Sequence, residues 1–346
     1  MNLLKLGKKR SNYLYLLVLS FLYLLFVFLN RQAFFQKFDP EVVNRYLRSQ
    51  DIEDRQNLIK DRIFISDSDI YIASGYLYAN GTKPTDYNFQ HPPFIKYLFG
   101  LSAKYFNLPL LPNMIFAAVL IFEVCLLGKL IYKSEFIGTL SSIMLMFDPV
   151  YKEVATYALL DIGQIVFVLG FLIITIFYSK HFMLEGLFLG LALASKFYSP
   201  IIIFLSLVYL YKVVNKNFNL KRELIVMLIA VAIFCFTYLL VYPFNIFFHQ
   251  AKLVKFMLDH NRSVEWGGVL KIFFGGYFIW PVLFFLNMFN FINSKMFSFQ
   301  SLFLLIPIFY LVIFTFQIPF TRYFIFILPF LYISFGKALT KLISMV

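Results

Sequence analysis

Between Ser66 and Tyr97 the chain concentrates the side chains that could do chemistry: Asp67, Asp69 and Tyr71, a Gly81 turn, then His91-Pro92-Pro93 and Lys96. A carboxylate held against apolar surface has its pKa raised toward a range useful for taking a proton from a hydroxyl. Asp67 or Asp69 could therefore act as a general base, or could simply cap the helix that begins near Ile70. Further along, isolated ionisable groups stand at the ends of apolar runs: Asp161, Lys196 and Arg322, the last followed by Tyr323. An acid such as Asp161 at the head of an apolar run is costly unless it binds a substrate, a metal ion or a cationic side chain. Lys196 and Arg322 either snorkel to lipid headgroups or, as the resemblance given below implies, hold a phosphate, Arg in a bidentate way.

The elements that must position these groups are membrane helices. Hydrophobic residues make up 61% of the 346, aromatics 21% and charged residues only 14%, which excludes an ordinary soluble domain. Apolar runs near bilayer-crossing length recur, and the short alternating segments of a β-barrel are absent. Net charge is +13, yet residues 31–96 carry nine Lys/Arg against nine Asp/Glu. The excess lies at the N-terminus and between later spans, a positive-inside signature rather than a nucleic-acid surface. Cys125 and Cys235 both lie in apolar runs and read as small core residues, not as a disulfide.

In order, Lys5, Lys8, Lys9 and Arg10 precede an apolar run from Tyr13 to Leu29, read as a retained anchor with a cytoplasmic N-terminus. Residues 31–106 form a first extracytoplasmic loop with interfacial helices. One starts at Asp39-Pro40-Glu41 and runs through Val42 to Leu58 along the membrane surface. Another runs from Ile70 to Ala79 and ends at Asn80-Gly81, where Gly tolerates a left-handed cap. A third, Phe94 to Phe106, follows the two prolines. Further spans are expected near 110–131, 134–148, 161–179, 182–197, 200–214, 223–243, 268–288, 298–316 and 320–340, ten with the anchor, separated late on by a second outer loop at 245–267. This count puts Lys129, Lys133, Lys180, Lys212, Lys216, Lys221, Arg222, Lys295, Lys337 and Lys341 on the cytoplasmic side. It puts Asp148, Glu153, Asp161, Lys196, His260 and Arg322 on the outer side with the first loop. Trp266 and Trp280 read as interfacial anchors, and Glu123, mid-span, is expected to have a buried hydrogen bond or a Lys partner. No repeat or linker divides the chain, so one domain over 1–346 is expected.

The ordered motifs resemble those of the GT-C glycosyltransferases. Asp67-x-x-x-Tyr71, Gly81 and His91-Pro92-Pro93-Phe94-Ile95-Lys96-Tyr97 are similar to the first-loop signature of the protein O-mannosyltransferase (PMT-like) branch. The related lipid A aminoarabinose transferases have Lys-Pro-Pro there instead. Tyr157-Ala158-Leu159-Leu160-Asp161 resembles the second acidic motif, Gly186 to Tyr198 the Gly-x-x-x-Gly…Lys-Tyr helix, and Arg322-Tyr323…Pro329 the late Arg-Tyr…Pro span. The chain departs from the family in having Ser68 where the second acid stands, so that Asp69 would supply it, and in lacking a large soluble insertion.

The resemblance implies an all-α GT-C bundle that takes a sugar, mannose or another hexose, from a polyprenyl-phosphate carrier at the outer membrane face and passes it to an acceptor hydroxyl on a protein, lipid or glycan. It implies Asp67, with Asp69 second, as base. It places Tyr71, His91, Lys96, Asp161, Lys196, His260, Arg322 and Tyr323 at the substrates, and leaves Asp67 and Asp161 as candidates for a divalent metal. A lipid-linked sugar transporter that cleaves nothing, or a non-catalytic assembly subunit, are the rivals. A transporter calls for midplane charges and repeat symmetry. Walker, HExxH and GxSxG motifs are absent, which disfavours ATP-driven transport and serine hydrolysis.

Overall fold

A computed structural model describes residues 2–50, 60, 64–196, 199–239, 241–261, 267–314 and 320–344; for 2–13, 199 and 256–261 it describes the backbone alone. The described residues form helices and no strand. The all-helical expectation holds among the described residues. The anchor is a helix over Asn2–Leu29, and the apolar runs near 110–131, 161–179 and 182–197 form helices over Leu111–Tyr132, Asp161–Phe177 and Phe182–Ser195.

Lengths depart from the ten-span reading. Among the described residues, Leu111–Tyr132 alone is a single helix long and apolar enough to cross a membrane. Two bent pairs qualify if each is one span, Pro149–Thr156 with Asp161–Phe177 (110°) and Gly268–Gly276 with Ile279–Ile292 (103°). Glu135–Met146 has 12 residues, whereas about 20 are needed for roughly 30 Å of hydrocarbon. The run expected as a span at 320–340 begins as a 3-10 helix, Thr321–Phe326, before an α-helix over Leu328–Ile343. Helices over Pro149–Thr156 and Pro243–Asn261 were not legible as such.

Two features hold the first-loop helices where the site needs them. The helix Asp67–Ala79 crosses the helix Phe94–Phe106 at Gly75 and Gly100. A Cβ on either would come within 1.9 Å of the other helix's backbone, so only glycine allows this contact. The Asp67 helix ends as expected at Asn80, with Gly81 at φ +96°. The helix over Glu41–Arg48 does not merely lie on a surface: Val42 and Tyr46 are buried against Ala73 of the Asp67 helix. The continuation expected to Leu58 lies at 51–59, outside the described residues.

A polar knot fixes the Pro149–Thr156 helix. Asp148 accepts hydrogen bonds from Val150 N (2.8 Å), Trp280 Nε1 (3.0 Å) and Tyr332 Oη (2.7 Å). Trp280 is 2% exposed, a buried donor to Asp148 rather than an interfacial anchor; Trp266 lies outside the described residues. Asn113 then donates to the carbonyls of Val154 and Tyr157, clamping the bend that leads into Asp161. Glu123 lacks the partner expected of it: its Oε2 is buried with no hydrogen bond among the described residues. Both cysteines are free.

At the other end of the bundle, two of the expected cytoplasmic cations are consumed internally. Lys212 Nζ donates to Glu185 Oε1 (2.9 Å) and to both Glu223 oxygens (2.9 and 2.8 Å). Arg222 bonds Glu223 Oε1 at 2.6 Å and also Glu185 Oε2. This neutral quartet joins the helices Phe182–Ser195, Ser199–Val214 and Leu220–Thr237. With Glu185 and Glu223 both buried, Lys212→Met leaves two carboxylates underpaired and is expected to cost about 3–5 kcal/mol. Thermal unfolding in detergent checks this; a melting temperature equal to the parent's would mean that the quartet holds nothing together.

Candidate active site

Four charged side chains from distant parts of the chain meet at one end of the bundle. Arg322 Nη2 donates to Asp67 Oδ2 at 2.5 Å, Arg322 Nε lies 3.9 Å from Asp161 Oδ2, and Lys196 Nζ donates to Asp161 Oδ1 at 2.5 Å. The order is Asp67, Arg322, Asp161, Lys196, alternating in sign. The convergence anticipated from sequence is present.

Each group is placed by local structure. Asp67 opens its helix. Asp161 opens the helix Asp161–Phe177 straight after the clamped bend, and Lys196 sits at the C-terminal end of Phe182–Ser195. Arg322 comes from the 3-10 turn over Thr321–Phe326 that precedes the helix Leu328–Ile343. Tyr323 covers the cations: Lys196 Nζ lies 4.6 Å from its ring centre and the Arg322 guanidinium 5.9 Å, contacts that favour a cation. Its carbonyl is held by Tyr310 Oη at 2.8 Å.

Exposure separates the two carboxylates. The Asp161 side chain is 1% exposed and that of Asp67 43%. Asp67 is open to solvent, while Asp161 holds Lys196 and faces Arg322. Three atoms here are buried without a hydrogen bond among the described residues: Asp161 Oδ2, Arg322 Nε and His91 Nδ1. Buried polar atoms seldom go unpaired in a finished structure, so the centre has donor and acceptor capacity left for a ligand.

Tyr71 and His91 border the same centre. Tyr71 is buried, meets the His91 ring edge-on at 5.7 Å and lies in the field of Asp67 and Arg322. Burial first, then the charges of Lys196, Lys96 and Arg322, pushes the His91 imidazole well below its ordinary pKa of 6.5. His91 is thus neutral near pH 7, able to offer one donor and one acceptor.

Two expectations are corrected. Lys96 is not at the substrates: it is 0% exposed, and its ammonium bonds Asn88 O (2.7 Å), Asn88 Oδ1 (3.0 Å), His91 O (2.7 Å) and Tyr78 Oη (3.3 Å). It ties down the loop that presents His91, and its three N–H groups are spent there. Asp69 is not a second base: its Oδ2 accepts from Ser66 N at 3.4 Å while Ser66 Oγ accepts from Asp69 N at 3.1 Å, a reciprocal capping box. His260 falls within the helix Pro243–Asn261, and its side chain lies outside the described ones; Phe197 and Tyr198 lie outside the described residues altogether.

One neighbour was not singled out from sequence. Glu153, half-buried, accepts from Thr321 Oγ1 at 3.3 Å and lies in the field of Arg322 and Asp161. Its only sequence signal was its place on the outer side. Among the described residues no group of three or more His, Cys, Asp or Glu side chains could hold a metal. Asp67 and Asp161 already face cations, and that donor set does not suit a divalent ion.

No protein-family model matches the sequence, and no curated protein does. Solved structures do. ArnT from Cupriavidus metallidurans in the apo state is similar with a TM-score of 0.62 at 16% identity, covering 80% of this chain and 55% of that one. The same protein bound to undecaprenyl phosphate gives 0.58 at 17%, covering 80% and 56%. At such identity the likeness is one of fold, and this chain spans little more than half of ArnT's length.

The neutral His91 has a consequence for stability. Below pH 6.5 the unfolded chain takes up a proton at this histidine that the folded chain refuses, so stability falls as pH drops from about 7 toward the folded pKa. Melting curves at pH 7.5 and 5.5 should show the parent losing more than His91→Asn over that interval. Equal losses would mean that His91 titrates as it does in water.

Proposed function

We propose, from the ArnT-like fold and this charge chain together, that the protein is a membrane glycosyltransferase. It moves a sugar from a polyprenyl-phosphate donor to an acceptor hydroxyl at the extracytoplasmic face. The observation that carries the reading is the alternating set Asp67, Arg322, Asp161, Lys196, with one carboxylate exposed and one buried. ArnT was crystallised with undecaprenyl phosphate, and a lipid phosphate is the kind of anion that Arg322 and Lys196 are suited to hold.

In the reaction the acceptor oxygen attacks the sugar's anomeric carbon as the bond from that carbon to the phosphate oxygen breaks. The electron pair leaves with the polyprenyl phosphate, and the hydroxyl proton goes to Asp67. The donor phosphate competes with Asp67 for Arg322, so donor binding frees the Asp67 oxygen that Arg322 otherwise occupies. Lys196, held by Asp161 and covered by Tyr323, supplies the second positive charge. Neutral His91 and Tyr71 offer hydrogen bonds without adding charge. The set is preorganised, as electrostatic catalysis requires.

His91-Pro92-Pro93 supports a PMT-like donor, mannose or another hexose, over the Lys-Pro-Pro of the aminoarabinose transferases. The transporter reading calls for acidic or basic residues deep in the spans and for repeat symmetry; Glu123 is the one deep charge read in the sequence, which shows no repeat.

Purified protein given polyprenyl-phosphate mannose and an acceptor mixture should transfer mannose. Asp67→Asn and Arg322→Gln should each lower turnover by about a hundredfold, the loss of roughly 3 kcal/mol typical of one preorganised group. Turnover by Asp67→Asn equal to the parent's would remove Asp67 as base. Passage of intact donor across a vesicle membrane without cleavage would favour the transporter.

A further inference from the structure

Glu153 is the carboxylate beside the charge chain that the transfer chemistry leaves unused. It stands on the helix Pro149–Thr156, whose Val150, Tyr151, Val154 and Ala155 are buried, and is itself half-buried. Among the described residues its carboxylate has one hydrogen bond, the long one from Thr321 Oγ1 to its Oε2 at 3.3 Å, and no Lys or Arg pairs with it. A carboxylate offers about four lone-pair sites, so most of this one's accepting capacity is open. Thr321 directly precedes Arg322, and Glu153 lies in the field of that guanidinium. The carboxylate therefore stands next to the cation pair, not on it.

Its charge is what needs a reason. Asp67 and Asp161 balance Arg322 and Lys196, two against two, so Glu153 takes the centre to a net charge of −1. A centre built for a phosphate alone would be weakened by that charge, because an anion on Arg322 is repelled by Glu153. The other two carboxylates have work of their own: Asp161, 1% exposed, holds Lys196, and Asp67 takes the acceptor's proton. A third suits a neutral neighbour of the phosphate that brings O–H donors. In a polyprenyl-phosphate sugar that neighbour is the sugar ring, joined directly to the phosphate. Hydroxyl bonds to a carboxylate are charge-assisted, about twice as strong as neutral ones.

We propose that Glu153 determines specificity by accepting hydrogen bonds from the hydroxyls of the donor's sugar, so that the protein distinguishes a loaded carrier from a bare one. This rests on the transferase reading of the same site: Arg322 and Lys196 hold the phosphate that both lipids share, and Glu153 reads the part that differs. Once the sugar has left, the carboxylate faces the phosphate alone, which favours release of the spent carrier.

The test reads a ratio. The full chain in detergent is mixed, without acceptor, with equal amounts of undecaprenyl phosphate and undecaprenyl-phosphate mannose, or in a separate run the glucose form. The two bound forms differ in mass and are quantified by native mass spectrometry; unfolded protein lowers both and leaves their ratio alone. The parent should prefer a loaded carrier. Glu153→Ala should cut that preference about tenfold, as expected for the loss of a charged acceptor, and should hold bare undecaprenyl phosphate at least as well as the parent. Glu153→Gln, which keeps an accepting oxygen but not the charge, should fall between. Thr321→Val removes the bond to the turn and leaves the carboxylate, so it should keep the parent's ratio. An unchanged ratio in Glu153→Ala, or a parent with no preference for either loaded form, would overturn the proposal while leaving the phosphate site standing. An equal drop in Thr321→Val would also overturn it, since Glu153 would then serve to hold the turn. Retention of neither lipid by the parent would remove the transferase reading and this proposal together.

Discussion

Charge neutralisation inside an apolar protein is the constraint on which the site depends. Asp161 and Lys196 are almost wholly withdrawn from water, and each alone would cost several kcal/mol to bury. Paired, each offsets part of the other's cost of burial. Arg322 extends the chain outward to Asp67, the member that keeps contact with solvent. A buried ion pair is a poor source of stability compared with apolar packing. Its retention here makes sense as stored function: two cations kept charged and aimed, with carboxylates that a more tightly bound anion can displace.

The surrounding structure serves that arrangement. The backbone contact at Gly75 and Gly100 sets the Asp67 helix against the helix that follows His91. Lys96, buried without a carboxylate, spends its ammonium on three backbone or side-chain oxygens of the His91 loop and on a tyrosine hydroxyl. Asp148, Trp280 and Tyr332 fix the start of the short helix that precedes Asp161, and Asn113 fixes its end. These are polar contacts in a protein whose remaining packing is mostly Phe, Leu and Ile, and they act where apolar packing alone would leave direction undetermined. At the opposite end the Lys212 quartet does the same for three helices.

Much of this could be read from the chain. Asp67, Asp161, Lys196 and Arg322 stood out because ionisable groups at the ends of apolar runs need a reason, and their order matched a known pattern. Helix existence followed from hydrophobic runs. Lys96 misled because its spacing from His91 looks the same whether it faces a substrate or its own loop; only the path of residues 78 to 93 decides. Asp69 misled because a capping carboxylate and a catalytic one share the same sequence position, and Ser66 was the signal for the first. Trp280 read as a membrane-interface residue because its partner Asp148 is 132 positions away. The span expected at 268–288 was overread, since hydropathy does not register the bend at 277–278 that breaks this run into an angled pair. Glu153 had no signal beyond its position.

The central claim is that Asp67 and a lipid phosphate compete for Arg322. Undecaprenyl phosphate binding to Asp67→Asn, measured against the parent in the same detergent, tests it most directly. The account predicts tighter binding by the variant, several-fold to about tenfold, because Arg322 no longer has to leave a carboxylate. Unchanged or weaker binding would contradict it, and would mean that the phosphate sits elsewhere.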